Sequence, residues 1–179
     1  MSKTMRMKTR DAAFTYRMGA GYPGDVDRTH PASIEPNLID SGAPPTAYGQ
    51  GVIVDGTSHA IRPLTSGDSG VTELYGITVR PYPTQQSSGT NYGAASLGSA
   101  TPPTSGIVDV IREGYVMASI VGSPVKNGPV YIWTAASSGN HVQGGFEAAD
   151  GTTNTASIAN AVFNGPADAN GVGEIFIHA

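Results

Sequence analysis

Short, mostly apolar runs rich in β-branched and aromatic residues recur through the second half of the chain, at Ile107–Arg112, Tyr115–Val121, Val130–Thr134, Ile158–Phe163 and Val172–Ile177, with polar positions between them. That rhythm of short runs predicts strands packed on a common core. The separators are turn-forming: Gly-Tyr, Ser-Pro-Val-Lys-Asn-Gly-Pro, a Ser/Gly/Asn stretch and Pro-Ala-Asp-Ala-Asn-Gly. Asn127-Gly128 predicts a tight turn because both residues tolerate positive φ, and Pro129 then opens a strand where a missing N–H does least harm. Upstream, Val52-Ile53-Val54, the Asp55-Gly56 corner and Ile61 predict strand, turn and strand. Val71–Arg80 predicts a further strand that ends at Pro81, its Thr78 and Arg80 facing solvent or a partner.

The first 45 residues show no period of 2 or 3.6. Their few large apolar groups, Met5, Met7, Phe14, Tyr16, Met18 and Tyr22, are interleaved with charges and glycines, and prolines punctuate the stretch from Pro23 to Pro45. Such a segment buries too little to order itself alone, so it is either disordered or laid along another surface. Residues 84–105 form a second weakly patterned stretch, read as a long polar loop. The fold expected is mostly β: a small β-barrel or jelly-roll-like sandwich at residues 46–179 behind an extended N-terminal arm at residues 1–45. The loop divides the body into halves of one barrel or two β subdomains.

Composition narrows the chemistry. The 179 residues include 24 Gly and 13 Pro, which disfavours long helices, and no Cys, which removes disulfides and thiol chemistry. No apolar run approaches a signal peptide or a membrane span, so a soluble protein made in a cytoplasm, with no membrane partner, is expected. The net charge of −4 is uneven. Residues 1–28 carry six cations against three carboxylates, a net +3, leaving −7 on the rest. An acidic body disfavours nucleic acid as partner, and the basic segment suits a protein surface with acidic grooves.

Catalytic constellations fail on context. Gly67-Asp68-Ser69-Gly70 matches the nucleophile segment of chymotrypsin-like proteases, but His59 and Asp55 lie within one hairpin of Ser69, and a polar turn accounts for the residues. His30, His59, His141 and His178 have no partner at metal-ligand spacing, and Asp168-Ala169-Asn170-Gly171 lacks the full series of a calcium loop. The expectation is no enzyme, no cofactor and no metal. A glycan- or receptor-binding β module using Trp133, Tyr131 and Tyr92 as stacking platforms is the alternative class.

Four stretches carry a family resemblance: Ile34-Glu35-Pro36-Asn37, Pro45-Thr46-Ala47-Tyr48-Gly49, Ile61-Arg62-Pro63-Leu64-Thr65-Ser66-Gly67-Asp68, and Tyr75-Gly76-Ile77-Thr78-Val79-Arg80-Pro81-Tyr82-Pro83-Thr84-Gln85. With Gly128-Pro129-Val130-Tyr131-Ile132 and the Asp168-Ala169-Asn170-Gly171 ending, the sequence resembles the head cement (decoration) proteins of tailed bacteriophages from about Ile34 onward. The resemblance implies a non-catalytic virion protein on the outer surface of the capsid that bridges subunits of the major capsid protein. It also implies contact with other copies of itself, as a trimer in first place and a dimer in second. The resemblance does not reach the first 33 residues; their charge and aromatic content make Arg6, Lys8, Arg10, Phe14, Tyr16, Arg17 and Tyr22 the expected capsid-binding residues of the arm, with Arg80 and Tyr82 second on the body.

Overall fold

The computed structural model describes residues 21–68, 70–81 and 101–179, and these are almost entirely β. Nine strands form one sheet: β1 (Ser33–Leu38), β2 (Gly51–Val54), β3 (Ile61–Pro63), β4 (Gly76–Thr78), β5 (Ile107–Val121), β6 (Pro129–Trp133), β7 (Phe146–Glu147), β8 (Thr155–Phe163) and β9 (Val172–His178). Pairing runs β3-β2-β4-β5-β7-β6-β8-β9, β9 pairs back onto β5, and β1 lies off this path on β5. All pairs are antiparallel except β5 with β7.

β5 joins the two expected halves of the body. It receives β4 at Val110 and Ile111 and β9 over Glu113–Ser119, so strands from before and after the 84–105 stretch share it. The two runs expected on either side of Gly114 form one fifteen-residue strand. Gly114 sits at φ +130, where a Cβ would meet the Ala32 Cβ at 3.0 Å and Ile111 Cδ1 at 3.1 Å. Beside it the β1–β5 register shifts by one residue. That irregularity changes which side chains face inward, so Ile111 and Val116, five positions apart, enter the same core.

There are two apolar clusters. The larger holds Ile77, Ile111, Val116, Ile132, Phe146, Phe163, Ile175 and Ile177, all essentially inaccessible. The smaller holds Ile39, Tyr48, Val52, Ile61, Val108 and Val110. Gln50 is buried between neighbouring segments with its hydrogen bonds made. Its Oε1 accepts from the Thr46 and Ala47 N–H groups at 2.7 and 2.8 Å, and its Nε2 donates to the Gln143 carbonyl at 2.7 Å. A satisfied amide of this kind is tolerated inside where an orphaned one is not.

Three sequence expectations change. Thr78, expected on a solvent face, is fully buried; its hydroxyl accepts from the Gln50 N–H at 3.1 Å and donates to the Ala47 carbonyl at 3.3 Å, which makes burial of this polar residue affordable. The strand expected over Val71–Arg80 is three residues long, because Leu74 turns aside to a two-point contact with the Asn160 side chain, at 3.0 and 2.9 Å. Residues 33–38, placed in the arm, form β1 against the body's own β5. Pro36 fits there because its cross-strand neighbour Asp109 directs its carbonyl to the Val79 N–H, away from β1. Pro36 therefore points its nitrogen outward, at the edge, where no ladder bond is lost.

Truncating Phe163, 1% exposed in the larger cluster, to Ala is expected to lower unfolding free energy by about 3–5 kcal/mol in urea titration. A loss under about 1 kcal/mol would contradict the packing described.

Candidate functional site

The stretch from Gly21 to His30 is held to the body by backbone ladder, by a cation between two rings, and by stacking. Tyr22–Asp25 is a tight turn: the Asp25 N–H donates to the Tyr22 carbonyl at 3.0 Å, and the Tyr22 N–H donates to Asp25 Oδ2 at 3.0 Å. Gly24 is required in it, at φ +89 with only 2.6 Å from a Cβ to the Tyr48 Cβ. Residues 24–27 then run antiparallel to β5: Gly24 N–H donates to the Met117 carbonyl at 2.7 Å, Met117 N–H to the Asp25 carbonyl at 2.8 Å, and Asp27 N–H to the Tyr115 carbonyl at 3.0 Å. His30 follows onto Tyr115, ring centroids 4.7 Å apart, and Tyr115 onto Phe176 at 4.9 Å.

Arg80 closes the corner. Its N–H donates to the Gly24 carbonyl and its Nε to the Pro23 carbonyl, each at 2.9 Å. Its guanidinium lies 5.6 Å from the Tyr22 ring centroid and 5.4 Å from that of Tyr48. Burial pushes the Tyr48 phenol above its ordinary value, while Tyr22 remains 70% exposed. Of the nine expected contact residues the fold thus brings Tyr22 and Arg80 together; Arg6, Lys8, Arg10, Phe14, Tyr16, Arg17 and Tyr82 lie outside the described residues. The segment before Gly21 and the one after Pro81 are consequently joined to the body at one place. What this corner can offer chemically is recognition, through an exposed phenol ring stacked against a fixed cation.

The protease-like tetrapeptide has a different use. Asp68 takes two bonds from Arg62, at 2.7 and 3.0 Å, and accepts from the Thr65 N–H and hydroxyl at 2.8 Å each, so it folds a one-turn 3-10 segment back onto β3. Arg62 Nε also reaches Asp55 at 3.2 Å. Ser69 lies outside the described residues. On β6, Tyr131 and Trp133 share the outward face and are half-buried. His141 stacks on the Trp133 indole at 4.2 Å and 21°, while its Nδ1 lies 2.8 Å from the buried Glu147 carboxylate. One face of Trp133 is thereby covered, and Tyr92 lies outside the described residues. Among the described residues no cluster of three His, Asp or Glu could hold a metal, and no helix is long and apolar enough to cross a membrane.

These geometries describe a β body with an exposed tyrosine beside a fixed arginine, and comparison with known proteins supplies its setting. The family model of the XM1 gp53 minor capsid protein matches residues 12–177. The chain belongs to that family. Among solved structures, a chain in "The capsid of Myoviridae Phage XM1" superposes with a TM-score of 0.63 at 18% identity, covering 91% of this chain and 93% of that one. At that identity the likeness speaks for the fold. No curated protein matches. A tailed-phage capsid protein with a structural role in the virion is therefore the setting for the residues above.

Sequence reasoning missed one surface. β1 is exposed along almost its whole length, and Ile34, Leu38 and the facing Ile107 are 39%, 57% and 66% exposed. Ile34-Glu35-Pro36-Asn37-Leu38 does alternate apolar and polar positions, but a proline at its centre reads as a breaker unless an edge strand is considered.

The Arg62 cluster makes a pH prediction. Two backbone N–H donors, from Ser58 and Thr57, and then Arg62 lower Asp55 from 3.8 to about 2, and Arg62 holds Asp68 well below its ordinary value. Both groups titrate lower in the folded than in the unfolded chain, so their contribution is complete above 3.8; that of Asp55 fades as pH falls through about 2 and that of Asp68 at lower pH still. Arg62→Met should lower the melting temperature at pH 7 and flatten its decline between about pH 4 and pH 2. Parallel declines in wild type and variant would contradict it.

Proposed function

We propose that this capsid protein is a head-stabilising cement component on the outer surface of the shell, where it bridges neighbouring major capsid subunits without catalysing a reaction. The observation that carries the reading is the corner at Tyr22 and Arg80. A basic N-terminal segment is joined there to a rigid β body beside a second polar segment, an arrangement suited to spanning more than one subunit. Capsid-family membership supplies the partner class. On this reading Arg80, Tyr82 and Tyr22 seat the body, while Arg6, Lys8, Arg10, Phe14, Tyr16 and Arg17 reach onto neighbouring subunits of the shell.

The stabilisation follows from mass action. A protein that binds the assembled shell and not its dissociated subunits shifts the equilibrium toward the shell, and bridging several subunits multiplies the effect of weak contacts. The segment's ordering entropy is the opposing term.

The test adds purified protein to preformed heads that lack it. Saturable addition at a fixed ratio to major capsid subunits, with raised heat resistance, is the expected result. Deleting residues 1–20 should reduce occupancy, and so should Arg80→Ala, which empties the corner between the rings; the cut leaves residues 24–27 in their ladder on β5. Heads that take up no protein, or equal occupancy for all three proteins, would overturn the reading.

A further inference from the structure

The acidic partner surface that the basic segment calls for is present on this protein's own body. Residues 33–40 and 107–113, the paired ends of β1 and β5, carry Glu35, Asp40, Asp109 and Glu113 against a single cation, Arg112. Arg112 is engaged on the opposite face, 3.9 Å from the Tyr75 ring centroid and 3.6 Å from Glu35, so Glu35 is taken up there and Asp40, Asp109 and Glu113 are the carboxylates left around the edge. Tyr75 also donates to Glu35 at 3.0 Å, with Asn37 Oδ1 at 3.2 Å, which fixes the polar face of β1 and leaves Ile34, Pro36 and Leu38 on the other. Leu38 pairs directly with Ile107, making an exposed apolar step flanked by carboxylates.

The backbone of that strand is unfinished. Among the described residues β1 pairs with β5 alone, up to Ile39, where a bridge to Ile61 begins. By the same alternation that turns the Pro36 nitrogen outward, the N–H and C=O of Ile34, the Pro36 carbonyl and the Leu38 N–H face away from β5, while the Leu38 carbonyl lies at the bridge to Ile61. An edge of this kind accepts an extended segment as an added strand, and side-chain chemistry selects which segment. The complementary chemistry lies in residues 1–20: Lys3, Arg6, Lys8, Arg10 and Arg17 against Asp11, a net +4, with Met5 and Met7 interleaved among the cations.

We propose that the N-terminal segment of one copy docks on the free edge of β1 in a neighbouring copy, so that copies of this protein link head to tail. The proposal rests on the arm of the preceding reading and gives it a second acceptor beside the shell. Gly21 lies beside Met117, and the acceptor edge faces residues 111 to 107 of β5, about 20–33 Å away along the strand. Residues 11–20 connect Gly21 to the Lys3–Arg10 cations, and a free ten-residue connection spans about 17 Å on average. Docking on the same copy therefore needs a connection stretched beyond its average span, which favours the edge of another copy. The contact is heterologous, so it closes into a ring, a trimer among the options, or continues around the shell.

The test uses full-length protein in three forms: wild type, an arm variant (Lys3→Glu, Arg6→Glu, Lys8→Glu, Arg10→Glu) and an edge variant (Leu38→Lys, Ile107→Lys). Both altered positions of the edge variant are exposed, and circular dichroism melting checks that it folds. Sedimentation velocity at low salt should show wild type associated and each variant monomeric alone, with association lost near 0.5 M salt, where the screening length is only about 4 Å. Mixing the two variants restores one intact arm and one intact edge, so the mixture should form a heterodimer and nothing larger. In amide exchange, Ile34 and Leu38 should gain protection only in associated samples. A monomeric wild type, a mixture that stays monomeric, or variants that associate like wild type would each overturn the proposal. Head addition separates the two readings: if the edge variant, whose arm is intact, fills heads as wild type does while the mixture stays monomeric, the cement reading stands and this linkage fails.

Discussion

Every part of the described structure is referred to one strand. β5 runs fifteen residues and takes β1 and β4 along its first half, and β9, residues 24–27 and β7 along its second. β5 changes the core it serves along its length. The register shift between Ile111 and Glu113, beside Gly114, turns it so that Val108 and Val110 enter the smaller apolar cluster while Val116, Ala118 and Ile120 enter the larger. Without a residue free to take φ +130 there, one half of the strand would aim its apolar side chains at solvent.

Since the chain has no cysteine, long-range polar contacts act where a small protein might use disulfides. Gln50 joins residues 46–47 to Gln143, Asn160 joins Leu74 to β8, and Arg62 draws Asp55 and Asp68 onto β3. Each involves a side chain whose polar capacity is largely used, so these groups fix the arrangement of segments that apolar packing alone would leave interchangeable. The Arg80 corner belongs with them, except that it leaves Tyr22 exposed and so faces outward.

The legibility of the fold follows how much apolar sequence each strand carries. β5, β6, β8 and β9 were readable because each is a run of β-branched and aromatic residues bounded by turn residues. β1 was unreadable as part of the body because neither of its faces is buried, and β7 because two residues carry no period. Thr78 was misplaced because a hydroxyl reads as solvent-facing unless its acceptor, 31 residues away at Ala47, is known. At the candidate site, Tyr22 and Arg80 were named separately, but their contact depends on the turn at Gly24 and on both backbones meeting β5's neighbours. Sequence supplied the chemical types and topology supplied the adjacency.

The register of β9 against β5 also constrains the order of folding. Residues 172–178 are made more than fifty residues after the part of β5 they cover. Until they arrive, that edge of β5 offers unpaired backbone beside Val116 and Ala118, and closing the intervening loop is an entropic barrier that local turns do not lower. Closure of the body thus waits for β9: until it pairs, the strand that organises the body keeps an edge open to premature pairing with other chains.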